Sequence, residues 1–239
     1  MTARDRGRRT TQTILHSERL QQLYTALLRC RISAKISPGR EAILAAVSLE
    51  LGTDDYLLPQ RAGSIVTRLK GSAVASSGKI SDESLNDLTQ LTLATGMAQG
   101  LKGGARPGLV TALASGSAAA GREFTPLLAF ASRSKLPIIY MLETVAPQRT
   151  QRKVGKPPLP VIIVEGSDPV AILRVLQECA RRARQGHGPA LIQCKRPTAD
   201  PLKFLEEYLR ERNLWANEWR RKLETNIRLD SRKLRKKQG

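Results

Sequence analysis

Four short apolar runs, set apart by helical patterns, narrow the choice of fold before any other feature is considered. They are "GLVTALA" (108–114), "PIIYMLE" (137–143), "PVIIVEG" (160–166) and "PALIQCKR" (189–196). Their apolar character is nearly continuous, as in strands covered on both faces. "AAAGREFTPLLAFASRSK" lies between the first two, and "DPVAILRVLQECARRARQ" between the last two. Strands alternating with helices read as βαβ units, so the chain is expected to be an α/β protein: a parallel sheet with helices on both faces. Sites in such sheets sit beyond the carboxyl ends of the strands. The small-residue turn Ser115-Gly116-Ser117 and the stretch from Glu143 to Pro147 are therefore expected at one edge.

Upstream, Ser17 reads as an N-cap. Leu20, Leu23, Leu27 and Leu28 share one face of a helix running to about Ile36, where Ser37-Pro38-Gly39 breaks it. "REAILAAVSLEL" is a second helix closed by Gly52, "DDYLLP" a short extended piece, and "AGSIVTRLKG" a further helix. Residues 72–84 read as a loop. "LNDLTQLTLATGMAQGLKGG" resumes as a helix whose Gly96 and Gly100 offer a smooth stripe, to a neighbour in the chain or to a partner. "PQRTQRKVGKPPLP" is expected to be a mobile basic loop. Beyond residue 200 an amphipathic helix breaks near Asn213, and a second helix follows with Trp215 and Trp219 packed on the body. The organisation expected is a disordered basic arm over 1–16, an α/β domain over 17–200, and C-terminal helices with a basic tail over 201–239.

The 239 residues carry 40 Lys and Arg against 21 Asp and Glu, a net charge of +19. Such an excess suits contact with a polyanion, or a solvated basic surface. Aromatic residues make up only 4%, too few for a stacking platform for single-stranded nucleic acid. Cys30, Cys179 and Cys194 are odd in number and widely spaced, without disulfide or zinc patterning. His16 and His187 have no Cys or carboxylate at nucleophile or metal spacing. Asp54-Asp55 reads as an acid pair or, preferably, as a turn cap. "GLKGGARPG" lacks the Lys-Ser/Thr of a phosphate-binding P-loop. The basic N-terminus has no apolar core of a secretory signal, and no apolar run reaches spanning length, so a cytoplasmic setting is expected.

Six stretches, in order, then carry a resemblance: "LYTALLRCRISAK", "GREAILAAVSLELGTDDYLL", "LATGMAQGLKGG", "SRSKLPIIYMLE", "DPVAILRVLQECARRARQGHGPALIQCK" and "DPLKFLEEYLRERNLWANEW". The chain resembles, from about residue 20 to residue 225, the alpha subunit of the thiamine-diphosphate-dependent 2-oxo acid dehydrogenase component, pyruvate type. The resemblance implies the thiamine-diphosphate-binding fold with a helical C-terminal extension. It implies oxidative decarboxylation of a 2-oxo acid with acyl transfer to a lipoyl group, and a cofactor site shared with a beta-type subunit. The alpha side holds magnesium and the diphosphate.

Residue by residue, the family's metal-binding Gly-Asp-Gly falls on Ser115, Gly116 and Ser117, and its Asn-Asn on Thr144 and Val145. Gly116 has no side chain, and Val145 offers only methyls where magnesium demands oxygen. The family's Tyr-Arg-Gly-His-Gly-His stretch falls on 61–66. Its arginine has no counterpart in register, Arg61 being displaced by one, and its histidines become Ser64 and Val66. The resemblance with these departures implies an alpha-like subunit that is catalytically degenerate, without a magnesium ligand set, acting as a structural or regulatory partner of a beta-type subunit. Two alternatives stand beside it. One is an active subunit with a site rebuilt from Ser115, Ser117, Thr144 and Glu143. The other is a nucleic-acid or acidic-protein binding module using the basic arm, "QRTQRK" and "RKLRKK".

Overall fold

The computed structural model of the chain describes residues 15–33, 36, 40–59, 65–66, 75–76, 85–104, 108–144 and 158–236. In chain order the helices are α1 (Ser17–Ser33), α2 (Arg40–Glu50), α3 (Asp87–Leu101), α4 (Phe124–Arg133), α5 (Pro169–Arg184), α6 (Pro201–Glu211) and α7 (Asn217–Lys236). The strands are β1 (Tyr56–Leu58), β2 (Ala75–Ser76), β3 (Val110–Ser115), β4 (Ile138–Thr144), β5 (Val161–Val164) and β6 (Ala190–Lys195). All six form one parallel sheet in the order β2-β1-β3-β4-β6-β5. The expected α/β architecture is therefore present.

Alternation along the central strands explains why both faces are covered. On one face Leu113, Ile139, Met141 and Ile192 join a core formed with α1, α2, α5 and α6. On the other, Val110, Ala112, Ala114, Ile138, Tyr140 and Leu142 join a core with α3 and α4. Successive side chains of a strand point to opposite faces, so a strand apolar at every position needs a helical layer on each side. Among the described residues no helix is long and apolar enough to cross a membrane.

Charged residues fasten the layers. Asp55, 3% exposed, accepts from the backbone N–H of Gly52 (2.7 Å) and of Leu109 (2.8 Å), and pairs with Arg184 at the end of α5. It thus closes α2, positions the entry to β3 and holds α5. Of the two readings of Asp54-Asp55, Asp55 takes the turn cap. Arg31 of α1 forks onto both Asp200 oxygens (2.8 and 2.9 Å) and also binds Glu41, which is fully buried in α2. Burial pushes the Glu41 carboxyl up against the pull of Arg31, whereas Arg31 draws Asp200 below the usual carboxylate range. The C-terminal helices dock on α1 as expected: Tyr24 meets Trp215 edge-on at 5.2 Å and Trp219 at 5.4 Å. The Tyr24 hydroxyl donates to Glu206, and Arg220 also reaches that carboxylate.

Several local expectations change. Ser17 is the first residue of α1 rather than its cap; the carbonyl of His16 accepts from Arg19 and Leu20, and the helix ends at Ser33 instead of Ile36. The helix expected over 118–135 is two elements, a 3₁₀ turn at Gly116–Ala120 and α4. Gly121 between them is extended, and Leu88 crowds the space a Cβ there would need. The expected loop over 72–84 contributes β2, because Ala75 and Ser76 pair with β1. A Cβ on Gly96 or Gly100 would meet no described atom within 4 Å, so the stripe does not seat a neighbouring helix among the described residues. Residues 1–14 and 145–157, carrying the expected arm and most of the expected basic loop, lie outside the described residues.

Arg31→Leu strands the buried Glu41 without a counter-charge and is expected to destabilise the fold by about 3–5 kcal/mol. Arg31→Leu/Glu41→Leu should recover part of that loss, since no buried charge then stands unpaired. Urea unfolding followed by circular dichroism measures both.

Candidate functional site at the carboxyl edge

Parallel pairing of β3 with β4 sets Ser115 opposite Glu143, and pairing of β4 with β6 sets Glu143 opposite Cys194. The residues after these strands therefore share one rim. At Ser115 the chain leaves the sheet and enters the 3₁₀ turn. Gly116 allows this, because a Cβ there would lie 3.1 Å from the Glu143 carbonyl oxygen and 3.3 Å from Thr144 Cα. The turn is thus folded down onto the end of β4.

A carboxylate arrives from elsewhere. Asn86 caps α3 by accepting from Thr89 N (2.9 Å), which starts the helix so that Asp87 occupies its first turn. Asp87 Oδ2 accepts from Ser115 N at 2.8 Å and from the Ser115 hydroxyl. The Ser115 and Ser117 hydroxyls lie 2.5 Å apart. Ser115 has one hydroxyl proton and gives it to Asp87, so Ser117 is the donor between the two serines. The turn that has no acid in its own sequence is tied down by one 28 residues upstream.

Glu143, on the facing strand, pairs through Oε1 with Arg40 Nε at 3.1 Å. Arg40 opens α2, so this ion pair joins the helical layer to the rim. Burial pushes the Glu143 carboxyl up; Arg40 pulls it down and the Asp87 carboxylate pushes it up further. Thr144 turns its hydroxyl away from the rim, donating to the Cys194 carbonyl at 3.2 Å. Cys194 is buried, and burial with the nearby Glu143 charge raises its thiol to about 12, which keeps it protonated and unreactive. Cys30 and Cys179 are likewise buried and free.

Of the positions singled out in the sequence, Ser115, Gly116, Ser117 and Thr144 are brought together here. Arg61, Ser64 and Val145 lie outside the described residues. Val66 is fully buried in the core shared by α1 and α2. His16 is exposed at the start of α1, and His187 is exposed at the opposite edge, before β6. Asp87 escaped the sequence reading. Its only signal was an Asn-Asp pair opening a helix, which specifies a cap and not a contact with a distant strand end.

Around Ser115 the described residues of the rim include the carboxylates of Asp87 and Glu143, the hydroxyls of Ser115 and Ser117, and the guanidinium of Arg40. Asp87 Oδ2 already accepts twice from Ser115, and Glu143 is held by Arg40. Among the described residues no three of His, Cys, Asp and Glu are placed to hold a metal ion. A side chain at Gly116 would be crowded by the end of β4.

A protein-family model described as "dehydrogenase E1 component" matches residues 60–196, more than half of the chain and all of β3, β4, β5 and β6. No curated protein matches the chain.

Gly116→Asp is expected to destabilise the fold by about 1–3 kcal/mol, the usual result of forcing atoms into an occupied space; urea unfolding measures it. The Glu143 carboxyl, followed by carbon-13 NMR, should titrate at lower pH in Asp87→Asn and at higher pH in Arg40→Gln. A raised carboxyl favours the fold below its unfolded value, and that contribution is lost as pH rises through the folded value. Arg40→Gln should therefore steepen the loss of stability across the upper carboxylate range.

Proposed function

The chain belongs to the dehydrogenase E1 component family, and on that premise we propose that it is an alpha-like subunit whose cofactor site is degenerate. Its role in 2-oxo acid oxidative decarboxylation is that of a structural or regulatory partner to a beta-type subunit. The observation that carries this reading is the contact of Gly116 with β4. The family's aspartate position has no side chain, and a Cβ there would be crowded by the Glu143 carbonyl and Thr144, at 3.1 to 3.3 Å. Magnesium needs several hard oxygens in near-octahedral array. The nearest carboxylates are engaged instead by Ser115 and by Arg40. These residues do not fit magnesium diphosphate in the family's manner. Val66, buried at a family histidine position, supports the same reading.

Calorimetry tests it. Titration of thiamine diphosphate with magnesium into the full chain, alone and with a beta-type subunit, should give no micromolar binding. The chain should nevertheless co-purify with that subunit. Magnesium-dependent micromolar binding, in either form, would overturn the degenerate assignment.

One observation favours a second reading, an active subunit with a remodelled site. Asp87 brings to the turn the carboxylate that Gly116 lacks. Decarboxylation of a 2-oxo acid by the reconstituted pair, abolished by Asp87→Ala, would decide for it.

Polyanion contact is a third component of the proposal, supported by α7, whose Arg221, Lys222 and Arg228 are exposed. Binding to duplex nucleic acid should weaken steeply with salt. Failure to bind at low salt in an anisotropy assay would remove it.

A further inference from the structure

Four half-buried arginines reach carboxylates: Arg19 pairs with Glu50, Arg31 with Glu41 and Asp200, Arg184 with Glu50 and Asp55, and Arg220 with Glu206. Arg174 of α5 differs from these four. Among the described residues it makes no ion pair. Its Nη2 meets only the Tyr208 hydroxyl at 3.4 Å, and its Nε–H is buried without an acceptor. A guanidinium withdrawn from water without a counter-charge is costly unless something anionic joins it.

Arg174 lines a cavity of about 510 Å³ between α5 and the amino-terminal ends of β5 and β6. This is the edge of the sheet opposite Ser115. Pro160 and Ile162 from the β5 side, Val175 from α5, and Pro189 before β6 give it apolar walls. Arg182 stands two helical turns beyond Arg174 on the same wall and makes no ion pair among the described residues. Glu178 lines the same wall, one turn from each of them, and Arg181 binds both of its oxygens, at 2.7 and 3.1 Å. Two arginines and one glutamate, the latter held by a third arginine, thus border an apolar hollow with an excess of positive charge. His187 is also at the rim; the proposal does not depend on its charge.

We propose that this cavity binds a small amphiphilic acid, an apolar body of roughly medium-chain length carrying a single carboxylate or sulfonate head. Its volume is in the range of small-molecule sites, which are mostly apolar with few oriented polar groups. The apolar body packs against Ile162, Val175 and the two prolines. The head meets Arg174 and Arg182, and guanidinium groups suit planar oxyanions because they offer paired N–H donors. A neutral chain would leave Arg174 uncompensated, and a bare inorganic anion would leave the apolar walls wet. Both components are required.

The test uses the full chain and 8-anilinonaphthalene-1-sulfonate as a fluorescent probe, displaced in turn by decanoate, 1-decanol and inorganic phosphate below any micelle-forming concentration. The expected result is one saturable probe site per chain. Decanoate should displace the probe at least tenfold more effectively than 1-decanol or phosphate. Arg174→Met should weaken decanoate at least tenfold, and Arg133→Gln, exposed on α4 and outside the cavity, should leave it unchanged. Arg182→Glu is the second variant: the residue is exposed, its replacement tolerable to the fold, and it should weaken decanoate at least as much. Thermal melts by circular dichroism identify any variant that has lost its fold, and the comparison then rests on the other. Equal displacement by 1-decanol, equal displacement by phosphate, or unchanged decanoate binding in a folded Arg174→Met or Arg182→Glu chain would each overturn the proposal.

Discussion

Asp55 is the junction on which the arrangement of layers turns. Its two oxygens serve the end of α2, the start of β3 and the last turn of α5. These three elements are far apart in sequence, and without Asp55 the buried Leu109 N–H would lose its acceptor and Arg184 one of its two carboxylates. A buried carboxylate is tolerable because backbone N–H donors and a guanidinium surround it; an apolar residue here would leave the Leu109 N–H without its acceptor. Fixing where β3 begins also fixes where it ends, since the strand is six residues long and paired throughout with β4.

The candidate site lies at that strand end. Ser115 emerges level with Glu143, and the next residue folds down over β4, where a side chain would be crowded and Gly116 is not. Asp87 holds the turn: a carboxylate from the neighbouring helix binds the Ser115 amide and hydroxyl. The two edges differ in their charges among the described residues. Around Ser115 the carboxyl edge holds Asp87 and Glu143, the latter paired with Arg40, whereas the amino edge beside β5 and β6 presents Arg174 and Arg182 with Glu178 between them, itself held by Arg181.

Much of this was legible in the residues. Continuous apolar runs such as "PIIYMLE" can only be satisfied with cover on both sides, so the parallel sheet and the helices flanking it follow from the pattern. The rim position of Ser115–Ser117 follows from the same logic, because parallel strands all release their chains at one edge. Asp55 as a cap, and Trp215 and Trp219 as packing residues, were also readable from local chemistry. The break at Gly121 was not: "AAAGREFTPLL" has good helical composition, and only the approach of Leu88 and the path off β3 divide it. β2 was unreadable for a similar reason, being two residues long and stabilised only by its pairing with β1.

The amino-acid sequence by itself determined the fold class, the order of most elements and the edge at which the Ser115–Ser117 turn lies. Those are consequences of periodicity and residue type, which act locally. Tertiary structure alone decided that Asp87 binds Ser115, that Gly116 packs against Glu143 and Thr144, and that Arg174 meets no carboxylate among the described residues. Each depends on which residues meet across tens of positions in the chain. Such meetings are set by strand register and helix packing, and no local pattern encodes them.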